Sequence, residues 1–286
     1  MKSCFLPWWK DNYQRFQAIL MDIDGTLVAG ERALPGAADT LDWLRRRRFP
    51  FCLLTNDGNR SPQEKSRLLG QAGLSVQPEE IVSCGMALDE LARHPELGQK
   101  LFFVMGDLGR PNYADTAGLR ITNDPGQLEQ CAGIIVGEGY YDWQRYLNLA
   151  LNTLLSAPDK MMIVPNPDSY WPNGVNGEVG IGAGGKARFL AGILAEAGVR
   201  VEPIYLGKPY RAIFRLALEH IGRCWGIPDL SADQVLMLGD SLKSDIAGAR
   251  LAGLRSGLLL SGVTSRVLAE AAPDEERPDW VFKALA

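Results

Sequence analysis

Two pairs of carboxylates follow two apolar runs that lie far apart in the chain. Asp22 and Asp24 come after "AILM", and Asp240 and Asp245 come after "VLML". Residues i and i+2 of a strand point to the same side, and the carboxyl ends of parallel strands meet at one edge of a sheet, where ligands bind. If both runs are strands of one parallel sheet, four carboxylates could lie close together.

A carboxylate cluster of this kind is costly unless a cation lies within it or the carboxylates share protons. Two like charges about 4 Å apart repel each other by about 4 kcal/mol at an effective dielectric constant of 20. Oxygen ligands suit Mg²⁺, which binds through one or two carboxylates together with waters and phosphate groups. The chain has only two histidines and five scattered cysteines, which disfavours a zinc site or a His-based triad. We therefore expect Mg²⁺ as the cofactor.

A hydroxyl, an amide and an ammonium group follow two further apolar runs. Thr55 and Asn56 come after Phe51–Leu54, and Lys208 comes shortly after Ile204–Leu206. We expect all three to lie at the same sheet edge as the carboxylates. A strand-end threonine with backbone N–H groups, a lysine and Mg²⁺ together form a receptor of phosphate size. The four strand ends therefore predict a phosphoryl-binding site.

Short apolar runs alternate with helical patterns along the chain, which predicts an α/β fold with a parallel sheet. Most of these runs are apolar throughout, as strands covered on both faces are. The expected core strands are Ala18–Met21, Phe51–Leu54, Ile81–Val82, Ile204–Leu206, Val235–Leu238 and Gly257–Leu260.

The middle of the chain predicts a second unit of the same type, from about residue 84 to 203. Its expected strands are Leu101–Met105, Ile134–Val136 and Met161–Val164, with helices near 142–156 and 186–197. The opening segment, residues 1–16, is rich in aromatic residues, and we expect these to pack on the body of the protein.

Four short segments resemble the motifs of the haloacid dehalogenase superfamily: "DIDGT", "TN", "GKP" and "GDSLKSD". Three more, "LPGAADTL" (34–41), "NPD" (166–168) and "SGVTS" (261–265), narrow the resemblance to its class IIA phosphatases. The resemblance implies a Rossmann-like core with a parallel sheet, formed by residues 17–83 and 204–286. It also implies a large α/β cap inserted at 84–203, and it leaves residues 1–16 as an N-terminal extension.

This resemblance assigns the chemistry to the first carboxylate pair. It implies that Asp22 is the nucleophile that forms an aspartyl-phosphate and that Asp24 is the general acid and base. Mg²⁺ would be bound by the carboxylates of Asp22 and Asp240 and by the backbone carbonyl of Asp24. The expected substrate is a small phosphate monoester.

The resemblance also implies roles in substrate binding. Thr55, Asn56 and Lys208 would bind the phosphoryl oxygens, and Asp245 would support the metal and Lys208. In the cap, Asp168 and Trp171 resemble a segment that lies over the active site, although packing of Trp171 in its loop is an equal alternative. Asp57 stands where many relatives have asparagine, which adds a negative charge near the expected phosphate site.

Several other functions are compatible with part of the pattern. A dehalogenase needs no acid for a departing halide, so Asp24 favours phosphate esters. The segment "GIGAGGKA" (180–187) nearly matches a phosphate-binding loop, but Ala187 lacks the hydroxyl that would bind Mg²⁺. A phosphotransferase or mutase of the same superfamily and a non-catalytic phospholigand-binding protein both remain open.

Composition limits the partners. The net charge of −4 argues against broad binding to nucleic acid, and the run Arg45–Arg48 is taken as the end of a helix. No apolar stretch approaches the roughly 20 residues that span a bilayer, so no membrane association is expected. Scattered cysteines predict a reducing, cytoplasmic location, and the resemblance allows a homodimer formed through the cap.

Overall fold

The computed structural model describes residues 2–172 and 178–286. The chain divides into two compact units. Unit 1 consists of the chain up to Thr55 together with Pro62–Val82 and Lys208–Ala286. Unit 2 consists of Asn56–Ser61 and Ser83–Gly207.

Strands occur throughout both units. In chain order they are β1 (Lys2–Cys4), β2 (Ala18–Met21), β3 (Val28–Ala29), β4 (Arg32–Ala33), β5 (Phe51–Thr55), β6 (Ile81–Ser83), β7 (Leu101–Met105), β8 (Arg120–Thr122), β9 (Gly133–Val136), β10 (Met161–Val164), β11 (Tyr170–Pro172), β12 (Val179–Ile181), β13 (Ile204–Tyr205), β14 (Val235–Gly239), β15 (Arg255–Leu259) and β16 (Trp280–Ala284).

Helices connect most of these strands. In chain order they are α1 (Phe5–Asn12), α2 (Ala37–Arg46), α3 (Pro62–Gln71), α4 (Asp89–Arg93), α5 (Tyr113–Thr116), α6 (Trp143–Ser156), α7 (Ala183–Glu196), α8 (Arg211–Trp225), α9 (Ala247–Leu251) and α10 (Arg266–Glu270). A π-helical turn over Leu242–Ile246 precedes α9. No helix among the described residues is long and apolar enough to cross a membrane.

Unit 1 is built on a seven-stranded sheet with the order β1-β16-β15-β14-β2-β5-β6. Strand β2 lies between β14 and β5 and runs parallel to both, with Met21 opposite Leu238 on one side and Leu53 on the other. Every residue of β2, β5 and β14 is buried, as expected for strands covered on both faces. The predicted α/β fold with a parallel sheet is confirmed, and this register brings the ends of three chemistry-bearing strands to one edge.

The N-terminal residues belong to the same sheet. Strand β1 pairs in parallel with β16 at the sheet edge, with Lys2 opposite Phe282. The side chains of Phe5 and Trp9 are fully buried, and their rings stack with centroids 5.5 Å apart. The expected packing of the N-terminal aromatic residues is confirmed.

Unit 2 contains a second parallel sheet, with the strand order β13-β10-β9-β7-β8. The predicted strands Leu101–Met105 and Met161–Val164 match β7 and β10 residue for residue. Helix α7 packs on β9 and β10, and helix α6 packs on α7. A separate antiparallel hairpin joins β11 and β12. The GIGAGGKA segment begins within β12, so it starts in a hairpin and not after a buried parallel strand.

One strand lies in a different sheet from the one that the sequence predicts. The run Ile204–Leu206 was expected in the core sheet, with Lys208 at its carboxyl edge, but β13 pairs with β10 in unit 2, where Ile204 lies opposite Ile163. An apolar run indicates a strand but carries no information on which neighbour it pairs with. Lys208 is instead the first residue of unit 1 after the chain leaves unit 2.

Candidate active site

The Asp22 carboxylate lies just beyond the end of β2. The backbone N–H of Asp22 donates to the carbonyl oxygen of Leu238 at 2.9 Å, which continues the pairing of β2 with β14. The Nζ atom of Lys208 donates to Asp22 Oδ1 at 2.5 Å and to Asp245 Oδ1 at 2.7 Å. Asp22 is 6% exposed and Lys208 is 2% exposed. A buried lysine therefore links two carboxylates that lie far apart in the sequence.

Asp240, which follows β14, is held by backbone from two other segments. The N–H of Val263 donates to Asp240 Oδ2 at 2.6 Å. A methyl group placed on Gly25 or Gly262 would overlap the Asp240 carboxylate. The Ser261 hydroxyl donates to the Gly25 carbonyl at 2.8 Å, which fixes the two glycine segments to each other. These contacts explain why glycines occur in "DGT" and "SGVTS": only they let the backbone approach the carboxylate so closely.

Asp22, Asp240 and Asp245 form a buried cluster, in which one carboxylate oxygen of each lies within 4.8 Å of those of the other two. Asp245 uses both of its oxygens within the protein, because Oδ1 accepts from Lys208 and Oδ2 accepts from the Ser241 N–H at 3.0 Å. This arrangement fits a supporting role for Asp245. The donor set is entirely oxygen, which suits Mg²⁺, so the residues present fit the metal expected from the sequence.

Burial and mutual repulsion make these carboxylates difficult to ionise. Burial raises the pKa of Asp22 well above its ordinary value; Lys208 partly lowers it, and Asp245 and Asp240 raise it further. The pKa of Asp240 is raised to about 7, mainly by burial and then by the charge of Asp245. Burial opposes the charged form of Lys208, but Asp22 and Asp245 outweigh this effect and raise its pKa. The protein's own lysine does not balance three carboxylates, so a divalent cation would stabilise the ionised cluster.

Asp24 lies apart from this buried cluster. Its side chain is 56% exposed, and its Oδ2 atom accepts a hydrogen bond from Lys65 Nζ at 2.7 Å. Lys65 lies on α3, and its side chain is 8% exposed. The predicted acid and base thus has an ion-pair partner that sequence reasoning did not identify. The only sequence signal is a lysine on a helix that follows a strand of the site, and most such lysines are solvated.

The predicted phosphate-binding residues at the end of β5 are both buried. Thr55 is the last residue of β5, and Asn56 begins unit 2. The Asn56 side-chain amide donates to Asp168 Oδ1 at 3.1 Å. Asn56 and Asp168 are thus brought together within unit 2, while contact of either with a phosphoryl group stays a prediction.

Two other residues of unit 2 have definite contacts. The ring of Trp171 lies against the backbone of Gly180, opposite it in the β11–β12 hairpin, where an added methyl group would overlap the indole. This contact favours the packing alternative for Trp171. The Asp57 carboxylate pairs with Arg60 at 3.0 Å and accepts the Asn59 N–H at 3.1 Å, so its negative charge is compensated locally.

Comparison with known proteins adds evidence independent of this geometry. A family model described as haloacid dehalogenase-like hydrolase matches residues 19–120, and a second model, described as HAD-hydrolase-like, matches residues 205–286. Both matched regions contain residues of the cluster. The chain belongs to the haloacid dehalogenase-like hydrolases.

Several relatives of this hydrolase are similar over nearly the whole chain. It is 29% identical to the ribonucleotide monophosphatase NagD of Escherichia coli K12, over 94% of this chain and 96% of the relative. The solved structure of that NagD has a TM-score of 0.78 and 27% identity and covers 95% of this chain and 97% of NagD. An acid sugar phosphatase of Staphylococcus epidermidis is 26% identical, over 95% of this chain and 96% of its own.

A p-nitrophenyl phosphatase from Archaeoglobus fulgidus is also similar in structure to this hydrolase. Its TM-score is 0.76 with 25% identity, and the match covers 94% of this chain and 97% of that structure. The similarity to NagD and to the Archaeoglobus fulgidus phosphatase is consistent with membership of class IIA of the superfamily.

Proposed function

We propose that this hydrolase is a Mg²⁺-dependent phosphatase that acts on a small phosphate monoester through an aspartyl-phosphate on Asp22. The observation that carries the proposal is the buried Asp22 carboxylate, held by Lys208 within a cluster that also contains Asp240 and Asp245. The relatives described above are named phosphatases, which supports the same reaction class.

The first step is transfer of the phosphoryl group to the protein. An Asp22 carboxylate oxygen attacks phosphorus, the bond from phosphorus to the leaving oxygen breaks, and protonated Asp24 gives its proton to that oxygen. The product alcohol leaves, and an aspartyl-phosphate remains on Asp22. Lys208 orients the attacking carboxylate, because its Nζ holds Asp22 Oδ1 and is itself fixed by Asp245.

The second step returns the protein to its starting state. A water molecule attacks phosphorus and gives its proton to Asp24, the acyl-phosphate bond breaks, and inorganic phosphate leaves. Thr55, Asn56 and Lys208 are proposed to bind the phosphoryl oxygens in both steps. When bound by the carboxylates of Asp22 and Asp240 and the backbone carbonyl of Asp24, Mg²⁺ would neutralise charge on the transferring group.

The domain roles follow the same proposal. We assign unit 1 to a catalytic core and unit 2 to a cap that contributes substrate-binding residues. Relative to the expected core (17–83 and 204–286) and cap (84–203), residues 56–61, 83 and 204–207 lie in unit 2. Asp168 and Trp171 are the expected residues of this kind. The bond between Asp168 and Asn56 supports the first of them, whereas the contact between Trp171 and Gly180 favours a packing role for the second. A homodimer formed through the cap and a cytoplasmic location remain predictions.

Hydrolysis of p-nitrophenyl phosphate with Mg²⁺ and with EDTA tests the proposal. Wild-type protein should turn over only with Mg²⁺, and Asp22→Asn, which keeps the shape but removes the nucleophile, should lose at least about 10³-fold in kcat. Asp39→Asn removes the same charge from an exposed position on α2 and should retain full activity. Activity that survives in Asp22→Asn would contradict the mechanism.

The same preparations separate the two alternatives. A phosphotransferase or mutase would transfer the phosphoryl group to an added sugar or sugar phosphate in preference to water, so phosphorylated acceptor would exceed inorganic phosphate. A non-catalytic binding protein would give no turnover on a panel of sugar phosphates and ribonucleoside monophosphates, while those esters still raised its unfolding temperature.

A further inference from the structure

Lys65 is a buried lysine with a specific carboxylate partner. It occupies the first half of α3, a helix of unit 1 that begins at Pro62. Its side chain is 8% exposed, and its Nζ lies 2.7 Å from Asp24 Oδ2. A helical lysine normally keeps its ammonium group in water while only the aliphatic stem is covered. Burying the charged end is costly unless it is paired, so this geometry calls for an explanation.

The pair engages only one oxygen of the Asp24 carboxylate. Oδ2 accepts from Lys65, whereas Oδ1 has no hydrogen-bond partner among residues 2–172 and 178–286. The terminal torsion of an aspartate is broad and weakly restrained, so an exposed Asp24 carboxylate would otherwise rotate freely. A short charge-assisted hydrogen bond fixes that torsion. The result is a carboxyl group with one oxygen held and the other oxygen accessible.

We propose that Lys65 is a positioning residue, which holds Asp24 Oδ2 so that Oδ1 is presented to the leaving-group oxygen. This inference rests on the proposed function, since the orientation of Asp24 matters to the rate only if Asp24 transfers a proton. Lys65 touches neither substrate nor metal in this role. It acts through Asp24, and its contribution is geometric: a misplacement of about 1 Å can cost about 100-fold in rate.

If Lys65 positions Asp24, the loss of rate on removing Lys65 should depend on how basic the leaving group is. Phenyl phosphate and p-nitrophenyl phosphate have nearly the same shape, but the phenolate released from the first is much more basic. A basic leaving oxygen needs the proton of Asp24 as its bond to phosphorus breaks, whereas p-nitrophenolate departs with little help. Misorientation of Asp24 should therefore slow phenyl phosphate far more than p-nitrophenyl phosphate.

The experiment compares kcat/KM for the two esters in wild type, Lys65→Met and Arg67→Met. The parameter kcat/KM reports the steps up to expulsion of the leaving group, so the later role of Asp24 as a base does not enter. Arg67→Met is the matched control, because Arg67 is an exposed cation two residues further along α3. Asp24→Asn sets the upper limit, since general acid catalysis contributes about 10²–10⁴-fold.

In Lys65→Met we expect kcat/KM to fall by roughly 10–100-fold for phenyl phosphate and by less than about 3-fold for p-nitrophenyl phosphate. Lys65→Arg, which keeps a cationic donor, should recover part of the phenyl phosphate rate, and Arg67→Met should match wild type. Equal losses on the two esters, or no loss on either, would overturn the inference. If Lys65→Met does not fold, Lys65→Gln provides the same comparison.

The outcome also separates this inference from the proposed function. Wild-type turnover that disappears in Asp22→Asn establishes the phosphatase mechanism whatever Lys65 does. If that requirement is met and Lys65→Met behaves like Arg67→Met, only the role of Lys65 is wrong. If wild type hydrolyses neither ester nor any member of the wider panel, the proposed function itself fails.

Discussion

The stability of the metal-free protein should depend on pH through Asp240. Folding raises the pKa of this carboxyl from 3.8 to about 7, so the folded chain binds the proton more tightly than the unfolded chain does. The stability that this proton contributes is complete below pH 3.8 and is lost as the pH rises through 7. Between pH 5 and pH 8 only the folded state releases the proton. At 1.36 kcal/mol per pH unit over two units, this costs about 3 kcal/mol.

The loss can be measured by thermal unfolding in EDTA. For a chain of this size, about 3 kcal/mol corresponds to roughly 6–12 °C in Tm. Between pH 5 and pH 8, the Tm of wild type should therefore fall by roughly 6–12 °C more than the Tm of Asp240→Asn. The exposed control Asp39→Asn should behave like wild type. Mg²⁺ at pH 8 should restore the Tm of wild type but not that of Asp240→Asn. Equal shifts in wild type and Asp240→Asn would refute the reasoning, because burial would then not raise this pKa.

Three further variants test other contacts. Lys208→Met should lower the free energy of unfolding by about 3–5 kcal/mol in urea titrations at pH 8, because two buried carboxylates lose their cation; unchanged stability would mean that these carboxylates are protonated. Trp9→Ala should cost about 3–5 kcal/mol, measured in the same way, and a loss below 1 kcal/mol would show that the N-terminal segment is dispensable. Gly262→Ala should reduce Mg²⁺-dependent turnover of p-nitrophenyl phosphate at least about 10-fold, since its methyl group would displace the Asp240 carboxylate; full activity would contradict the tight fit.

Much of the core could be predicted because its signals are local. A run such as Ala18–Met21 is apolar throughout, and a polar residue marks its end, so both the strand and its chemistry are visible in a few residues. The convergence of Asp22, Asp240 and Asp245 followed from the general behaviour of parallel strands. Lys208 was correctly expected near the carboxylates, although the strand before it lies in the other sheet.

The remaining features depend on contacts that a linear pattern does not contain. Strand β13 pairs with β10 because of how the two pack in the folded protein. The three apolar residues Ile204–Leu206 contain no information that specifies this partner. The burial of Lys65 depends on where α3 lies relative to Asp24, and from sequence it looks like any solvated helical lysine. The pairing of β1 with β16 joins the first and the last strand in chain order. No local sequence pattern indicates a pairing partner so far away in the chain.

The position of β2 in the sheet has a consequence for biosynthesis. One neighbour, β5, follows it shortly, but the other, β14, is synthesised only after all of unit 2. Until then the nascent chain presents an unpaired apolar strand edge, the kind of surface that pairs wrongly with other chains. Asp22 can meet Asp240 only after all of unit 2 has been synthesised, so chains terminated before β14 would be prone to aggregate and would lack the carboxylate cluster.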